Sequence, residues 1–206
     1  MIQSTCRLLV TSVTVTLVTI KTVTRDERLS RAVWDVLARQ GLERLTIRAV
    51  AAAAGCTTGL VMHRFPNRRA LLRHARDLLH ERTRERVERL EAGAATPREA
   101  LRAVLSQGLA LDAETTAESV VWTGFLAAAV ADEDLVSLHR ANNRAWRERI
   151  TRLVSAAGLE QGETVALALI SLVEGAAALA SADPDAYPAP VQQAMLDAVL
   201  AAFELR

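Results

Sequence analysis

The spacing of apolar residues along this chain is helical over most of its length. Leu29, Val33, Val36 and Leu37 recur at intervals of three and four, which places them on one face of a helix from about Asp26 to Gln40. Caps and breakers divide the rest into further helices. These are predicted at about 46–54, 57–65, 67–91, 97–111, 118–130, 132–156, 163–182 and 190–205. We therefore predict an all-α protein of about nine helices.

The last two predicted helices carry more apolar surface than one core can hide. Apolar residues of 163–182 point in all directions, and helix nine offers a stripe of its own at Val191, Met195, Leu196, Val199 and Phe203. Paired, the two helices would form a self-complementary surface that closes as a four-helix bundle about a two-fold axis. We expect a homodimer through helices eight and nine. Burial within a monomer is the alternative.

A second pattern, from Gly41 to Phe65, consists of two short helices around a glycine turn. Thr46 and Thr57 are good N-caps, Gly55 permits a sharp turn, and Pro66 cannot continue the second helix. This arrangement is typical of a helix-turn-helix unit, whose second helix lies in the major groove of DNA.

The distribution of charge supports the same interpretation. Residues 25–91 carry 15 Arg and 9 acidic residues, whereas residues 92–206 carry 8 Arg and 15 acidic residues. The net charge of +1 thus hides a basic N-terminal part and an acidic remainder. The basic part would attract the phosphates of DNA whatever the base sequence, and the acidic part would be repelled by them. We therefore expect the protein to bind double-stranded DNA through its N-terminal part only.

Composition adds two expectations. The two cysteines, Cys6 and Cys56, do not form a disulfide framework, which fits a reducing cytoplasm, and Cys56 should pack in the core. Residues 1–23 are rich in Val and Thr, unlike everything downstream, and are too short and hydroxyl-rich to span a bilayer. We interpret them as a disordered or wrongly assigned extension and expect no membrane partner.

Three spaced segments resemble the N-terminal domain of TetR-family transcriptional regulators. They are LTIR at 45–48, AAAAGCTTG at 51–59 and FPNR at 65–68. The resemblance implies a DNA-binding domain at 24–73 and a ligand-binding and dimerisation domain at 74–206, joined by the helix 67–91. It also implies a homodimeric repressor that binds a near-palindromic operator and is released by a small-molecule inducer. The segments 122–126, 138–153 and 183–184 further resemble the branch that includes the regulator of betaine synthesis.

The same resemblance assigns the DNA contacts. Arg48 would reach a base from the first short helix, Gly59 would allow close backbone approach, and Arg68 would hold a phosphate. Met62 and Arg64 depart from the family, which often has a tyrosine and a histidine there. For His63 an ordinary surface role is the alternative. The full set of expected contacts is Thr46, Arg48, Thr57, Thr58, Gly59, Leu60, Met62, His63 and Arg68.

For an inducer pocket the sequence offers only candidates, each of which could equally be a core residue. They are Val104, Trp122, Phe125, Asn142 and Trp146. Glu174, the only charge in the apolar run of helix eight, would either pair across the two-fold axis or contact a cationic ligand.

The sequence gives less support to two other classes of protein, an enzyme and a helical interaction protein. If the protein were an enzyme, its catalytic or metal-binding residues would have to include His63, His74, His80 or His139. None of these histidines has the spacing of a metal site, and the sequence contains no nucleophile or phosphate-loop motif. We expect no catalytic residues, no metal and no cofactor. A dimeric helical interaction protein without specific DNA binding is the alternative to the regulator.

Overall fold

A computed structural model describes residues 24–204, which form nine α-helices and no strand. The prediction about residues 1–23 therefore lies outside the described part of the chain. The helices are α1 (Arg25–Gln40), α2 (Ile47–Ala54), α3 (Thr58–Arg64), α4 (Arg68–Gly93), α5 (Pro97–Ser106), α6 (Ala113–Ala131), α7 (Glu133–Ala156), α8 (Gly162–Ala182) and α9 (Ala189–Glu204).

Polar caps set most helix starts where the sequence predicts them. The side chains of Thr46, Thr57, Asn67 and Thr96 each accept a hydrogen bond from a backbone N–H in the first turn of the following helix. The prediction was wrong between α5 and α6. There α5 ends at Ser106, and α6 begins five residues early because Asp112 and Thr115 form a capping box.

The first hydrophobic core holds α1 to α3 against the N-terminal half of α4. It is built on fully buried side chains such as Val33, Leu37, Val50, Val61 and Phe65. Residues of α6 also belong to it, among them Val121 and Phe125, and so does Leu135 of α7. One continuous core thus fixes the short helices to α1, α4, α6 and the start of α7.

The second core packs α5, α7, α8 and α9 around the C-terminal half of α4. By length and composition alone, α8 could cross a membrane. Eight of its residues are nevertheless buried against other helices, as in an ordinary core helix: Val165, Ala166, Leu169, Ile170, Val173, Ala176, Ala177 and Ala180.

The expectation of an outward apolar stripe on α9 is corrected. Leu196 is buried in the second core, and Met195, Val199 and Phe203 pack against it. Only Val191 of the predicted stripe is well exposed. The apolar residues of α9 do lie on one face of the helix, as their spacing predicts, but this face is turned towards α5 and α8.

A partly buried ion pair fastens α4 to α6. Both carboxylate oxygens of Glu118 accept hydrogen bonds from Arg86, at 2.8 and 2.9 Å, and Arg82 lies 3.6 Å from the same group. The Glu118 side chain is only 6% exposed. The charged run of α4 is therefore a contact surface on this side as well as a solvated face.

This ion pair leads to a stability prediction. Glu118→Ala removes the buried partner of Arg86 and leaves the guanidinium only the exposed carboxylate of Glu114, 3.0 Å away, so the free energy of unfolding should fall by about 2–3 kcal/mol. The control is Asp197→Ala, which breaks the exposed pair between Arg102 and Asp197 and should cost less than about 1 kcal/mol. Urea unfolding at fixed protein concentration measures both. Equal losses would show that Glu118 has no special role.

Candidate DNA-binding surface and ligand cavity

The turn between α2 and α3 has the geometry that a helix-turn-helix unit needs. Gly55 is left-handed, with φ 62° and ψ 41°, and its N–H contacts the carbonyls of Ala51 and Ala52. Thr57 Oγ1 accepts a hydrogen bond from the Leu60 N–H at 3.3 Å and so starts α3. Because Val61 and Phe65 are buried, the orientation of α3 is fixed by its inner face.

The outer face of α3 carries most of the expected DNA contacts. Thr58, Gly59 and His63 are exposed, as is Met62 at 52%. A side chain at Gly59 would meet nothing nearer than Thr57 Oγ1 at 3.9 Å, so its backbone is open to close approach. Leu60 differs from the expectation, since it is half-buried and turned partly towards α1.

On α2, Thr46 and Arg48 sit at the helix start. Thr46 Oγ1 accepts from the Ala49 N–H at 3.1 Å, so the threonine is first of all a cap. Arg48 is exposed at the second position of α2. Its guanidinium can extend away from the core beside α3.

Arg68 has a structural role that the sequence did not predict. Its Nη1 donates to the Leu45 carbonyl at 2.7 Å and its Nη2 to the Leu42 carbonyl at 3.4 Å. These bonds tie the first turn of α4 to the loop that precedes α2. A guanidinium has five N–H donors, so others remain for a phosphate.

Helices α4, α6, α7 and α8, with Gln107 and Gly108 after α5, line a cavity of about 200 Å³ that is partly open to solvent. Trp122 and Trp146 line it, as expected. Val104 and Phe125 do not, because their helix faces turn into the second and first cores, and this corrects the expectation for both. The side chain of Asn142 lies outside the described part of the chain, while its neighbour Asn143 is on the wall.

The most unusual cavity residue is Arg76, which sequence reasoning missed. Its guanidinium carbon lies 4.5 Å from the ring centroid of Trp122, and His139 stacks on the same indole at 5.1 Å. A signal was present in the sequence, because Arg76 interrupts the buried stripe of α4 between Leu72 and Leu79.

Comparison with known proteins identifies the family. A model of bacterial regulatory proteins of the TetR family matches residues 31–75, and a model of the C-terminal domain of BetI-type transcriptional repressors matches residues 97–203. This chain belongs to the TetR family of transcriptional regulators. Its family and its relatives are regulators and not enzymes.

Individual relatives agree in fold and length. The HTH-type transcriptional regulator PksA of Bacillus subtilis is 28% identical over 164 residues, which is 78% of this chain and 80% of that protein. A transcriptional regulator from Rhodococcus sp. Rha1 superimposes with a TM-score of 0.81 at 30% identity, over 87% of this chain and 96% of that one.

One further structure contains a ligand. A regulator from Saccharomonospora viridis, crystallised in complex with choline, has a TM-score of 0.78 at 17% identity, over 84% of this chain and 94% of that one. At that identity the likeness concerns the fold alone.

Glu174 of the regulator lies on the cavity wall. Burial raises the pKa of its carboxyl group to about 7, against smaller opposing effects of the Trp122 N–H and the Arg76 charge. The indole N–H does not reach the geometry of a formed hydrogen bond. Burial likewise lowers the pKa of Arg76 to about 10.

The raised pKa of Glu174 predicts how stability depends on pH. Between the usual pKa of 4.5 and about 7 the folded state binds more protons than the unfolded state, so stability falls as pH rises through this window. Glu174→Gln removes the cost of ionisation and should stabilise the protein by about 2–3 kcal/mol at pH 8, with little effect at pH 5.

Urea unfolding at both pH values measures this difference. The control is Glu163→Gln, a change of an exposed carboxylate on the same helix, which should alter stability by less than about 0.5 kcal/mol at either pH. A Glu174→Gln effect that is the same at pH 5 and pH 8 would contradict the raised pKa.

Proposed function

We propose that this regulator is a homodimeric repressor that binds a near-palindromic operator and is released when a small molecule fills the cavity. The observation that carries the proposal is the outer face of α3, which is polar and open while its inner face is buried. Such a helix presents its first residues to base edges in the major groove. The cell compartment that fits is the cytoplasm, where the operator is.

Dimerisation is supported by stripes of exposed small and apolar residues on α8 and α9. Leu167, Ser171, Gly175 and Leu179 follow one another at four-residue spacing on α8, and the two leucines are 45% and 48% exposed. Val191 and Ala194 are exposed on α9. Small residues between the leucines would let two copies of α8 approach closely, and a two-fold axis would place two α3 helices on one side of the duplex.

Release by a ligand is supported by the path of α4. The same helix lines the cavity through Arg76, Leu79 and His80 and holds the loop before α2 through Arg68. A ligand that displaces α4 would therefore move the helix-turn-helix unit. This displacement would change the spacing of the two α3 helices in the dimer.

The choline of the Saccharomonospora viridis regulator does not by itself define the ligand here. A quaternary ammonium is usually held on the open faces of aromatic rings. In this chain both Arg76 and His139 already pack against the ring of Trp122.

Operator binding tests the function. DNA beside the regulator's own gene should contain a near-palindrome that the full-length protein protects from cleavage. Arg48→Ala should weaken binding to it by about 1–3 kcal/mol and relax specificity at the contacted base pair. Arg68→Ala should weaken binding to all DNA sequences alike. The melting temperature of this variant should also fall, because the hydrogen bonds to the carbonyls of Leu42 and Leu45 are lost.

The control for operator binding is Arg140→Ala, which removes an exposed arginine of α7, outside the helix-turn-helix unit. It should leave affinity for the operator unchanged. A folded dimer without sequence-specific binding at low salt would instead support the alternative, a dimeric helical interaction protein.

The dimer surface is tested separately. Leu179→Arg places two like charges at the proposed two-fold interface. The dissociation constant of the dimer should therefore be at least about tenfold higher than that of the unchanged protein. Light scattering after size-exclusion chromatography measures the mass. Leu126→Arg, at a leucine of α6 that is 41% exposed outside the stripes, is the matched control. A stable dimer of the Leu179 variant would place the interface elsewhere.

A further inference from the structure

We propose that the cavity binds a small organic acid, whose carboxylate is received by the guanidinium of Arg76 and whose apolar part packs towards Val173 and Ala177. This inference names the chemical class of the inducer and rests on the proposed function. It is carried by four features of the cavity wall: an unpartnered cation, the pairing of the other charges, the free polar atoms and the size of the space.

Arg76 is a buried cation without a hydrogen-bond partner. It is 4% exposed, and its Nε has no acceptor among the residues that the structure describes. Its contacts are with rings, those of Trp122 at 4.5 Å and Phe125 at 5.9 Å. Buried charges in proteins are normally paired, so a guanidinium held open on a cavity wall is suited to an anion that comes from outside.

The other charged residues of the wall already have partners. Glu118 pairs with Arg86, Arg84 with Glu81 and Glu88, and Arg149 with Glu91. What remains on the wall is Arg76 with Glu174, and these two side chains influence each other through their charges and not through a hydrogen bond. The charges of Asp77, the next residue of α4, and of Glu174 both favour the charged form of Arg76. Burial raises the pKa of Glu174, however, so the negative charge that the cavity wall offers to Arg76 is only partly present near neutral pH.

Further polar atoms of the wall match a carboxylate. The Nε1 of Trp122 is a buried donor without a partner, and the carboxyl group of Glu174, when protonated, can donate as well. The side-chain oxygen of Gln107 is also buried and unpartnered, and would accept from a hydroxyl or amide of the ligand. A cationic ligand, in contrast, would face the like charge of Arg76.

The size of the cavity indicates which small acids it can accommodate. An apolar cavity of about 150 Å³ holds one benzene ring. The space of about 200 Å³ here therefore fits a carboxylate with a single ring or a short alkyl chain. Leu79, Val87 and Val173 supply the apolar lining for that part.

A series of ligands that differ in charge but not in shape tests the inference. Phenylacetate, phenylacetamide and 2-phenylethylamine are titrated into the full-length protein in a calorimeter, with hexanoate and octanoate as further acids. At least one acid should bind. Phenylacetate should bind at least about tenfold more tightly than its amide, and the amine should bind least, since a bond between two charged groups is worth about 10- to 100-fold.

The variants locate the carboxylate. Arg76→Gln should lower the affinity for the acid at least about tenfold and leave the affinity for the amide unchanged. Arg89→Gln, at an exposed arginine of the same helix, should change neither affinity. If Arg76→Gln does not fold, the charge series on the unchanged protein and the pH profile decide.

The pH profile gives an independent measurement. The charged and titratable groups that line the cavity with Glu174 are Arg76, His80 and Arg84 of α4, Glu118 of α6 and Arg149 of α7. His139 of α7 stacks on the ring of Trp122. Arg84, Arg149 and Glu118 are held in ion pairs with Glu81, Glu91 and Arg86. Burial lowers the pKa of both histidines. Acid affinity should therefore rise as pH falls from 8 to 6, because Glu174 takes up a proton, and Glu174→Gln should flatten most of this change.

The outcomes separate this inference from the proposed function. If none of the acids binds at millimolar concentration, or if the amide or the amine binds as well as the acid, the inference is overturned although operator binding stands. If an acid binds through Arg76 but does not release the operator, the ligand class stands and the mechanism of release fails.

Discussion

The packing of α4 into both hydrophobic cores is the constraint on which the rest of this molecule depends. Leu71 and Leu79 belong to the first core, and Val87, eight residues further on, belongs to the second. A helix of 26 residues is about 39 Å long. It can therefore hold the loop before α2 at one end and the cavity along its middle. Neither region can shift without changing the packing of this helix.

The helix-turn-helix unit needs that support because its own helices are very short. Helices α2 and α3 have eight and seven residues, and isolated helices below about 12 residues are marginal in water. Their caps and the left-handed Gly55 fix the path of the backbone, but burial of Val50, Val61 and Phe65 supplies most of the stability. A surface for DNA is thus displayed on elements that exist only as part of the larger fold.

The cavity differs from the helix-turn-helix unit, because burying its polar groups lowers the stability of the fold. Arg76 and Glu174 both have pKa values shifted by burial towards their neutral forms. Such shifts cluster at functional sites, where the free energy lost in folding can be recovered when a ligand binds. The buried Arg86–Glu118 pair beside the cavity is different, because its hydrogen bonds are complete and its task is to hold α4 and α6 together.

The sequence by itself determined what depends on local pattern. It specified the helical class, most helix limits, the glycine turn and the outward face of α3, because caps, breakers and helical periodicity act within a few residues. It failed at α6, where the local capping box of Asp112 was overlooked. Only the tertiary structure decided which face of each helix meets which neighbour. Rotation of the helices, set by packing between distant segments, put Val104 and Phe125 in the cores, engaged Arg68 with the loop before α2, and turned Arg76 into the cavity.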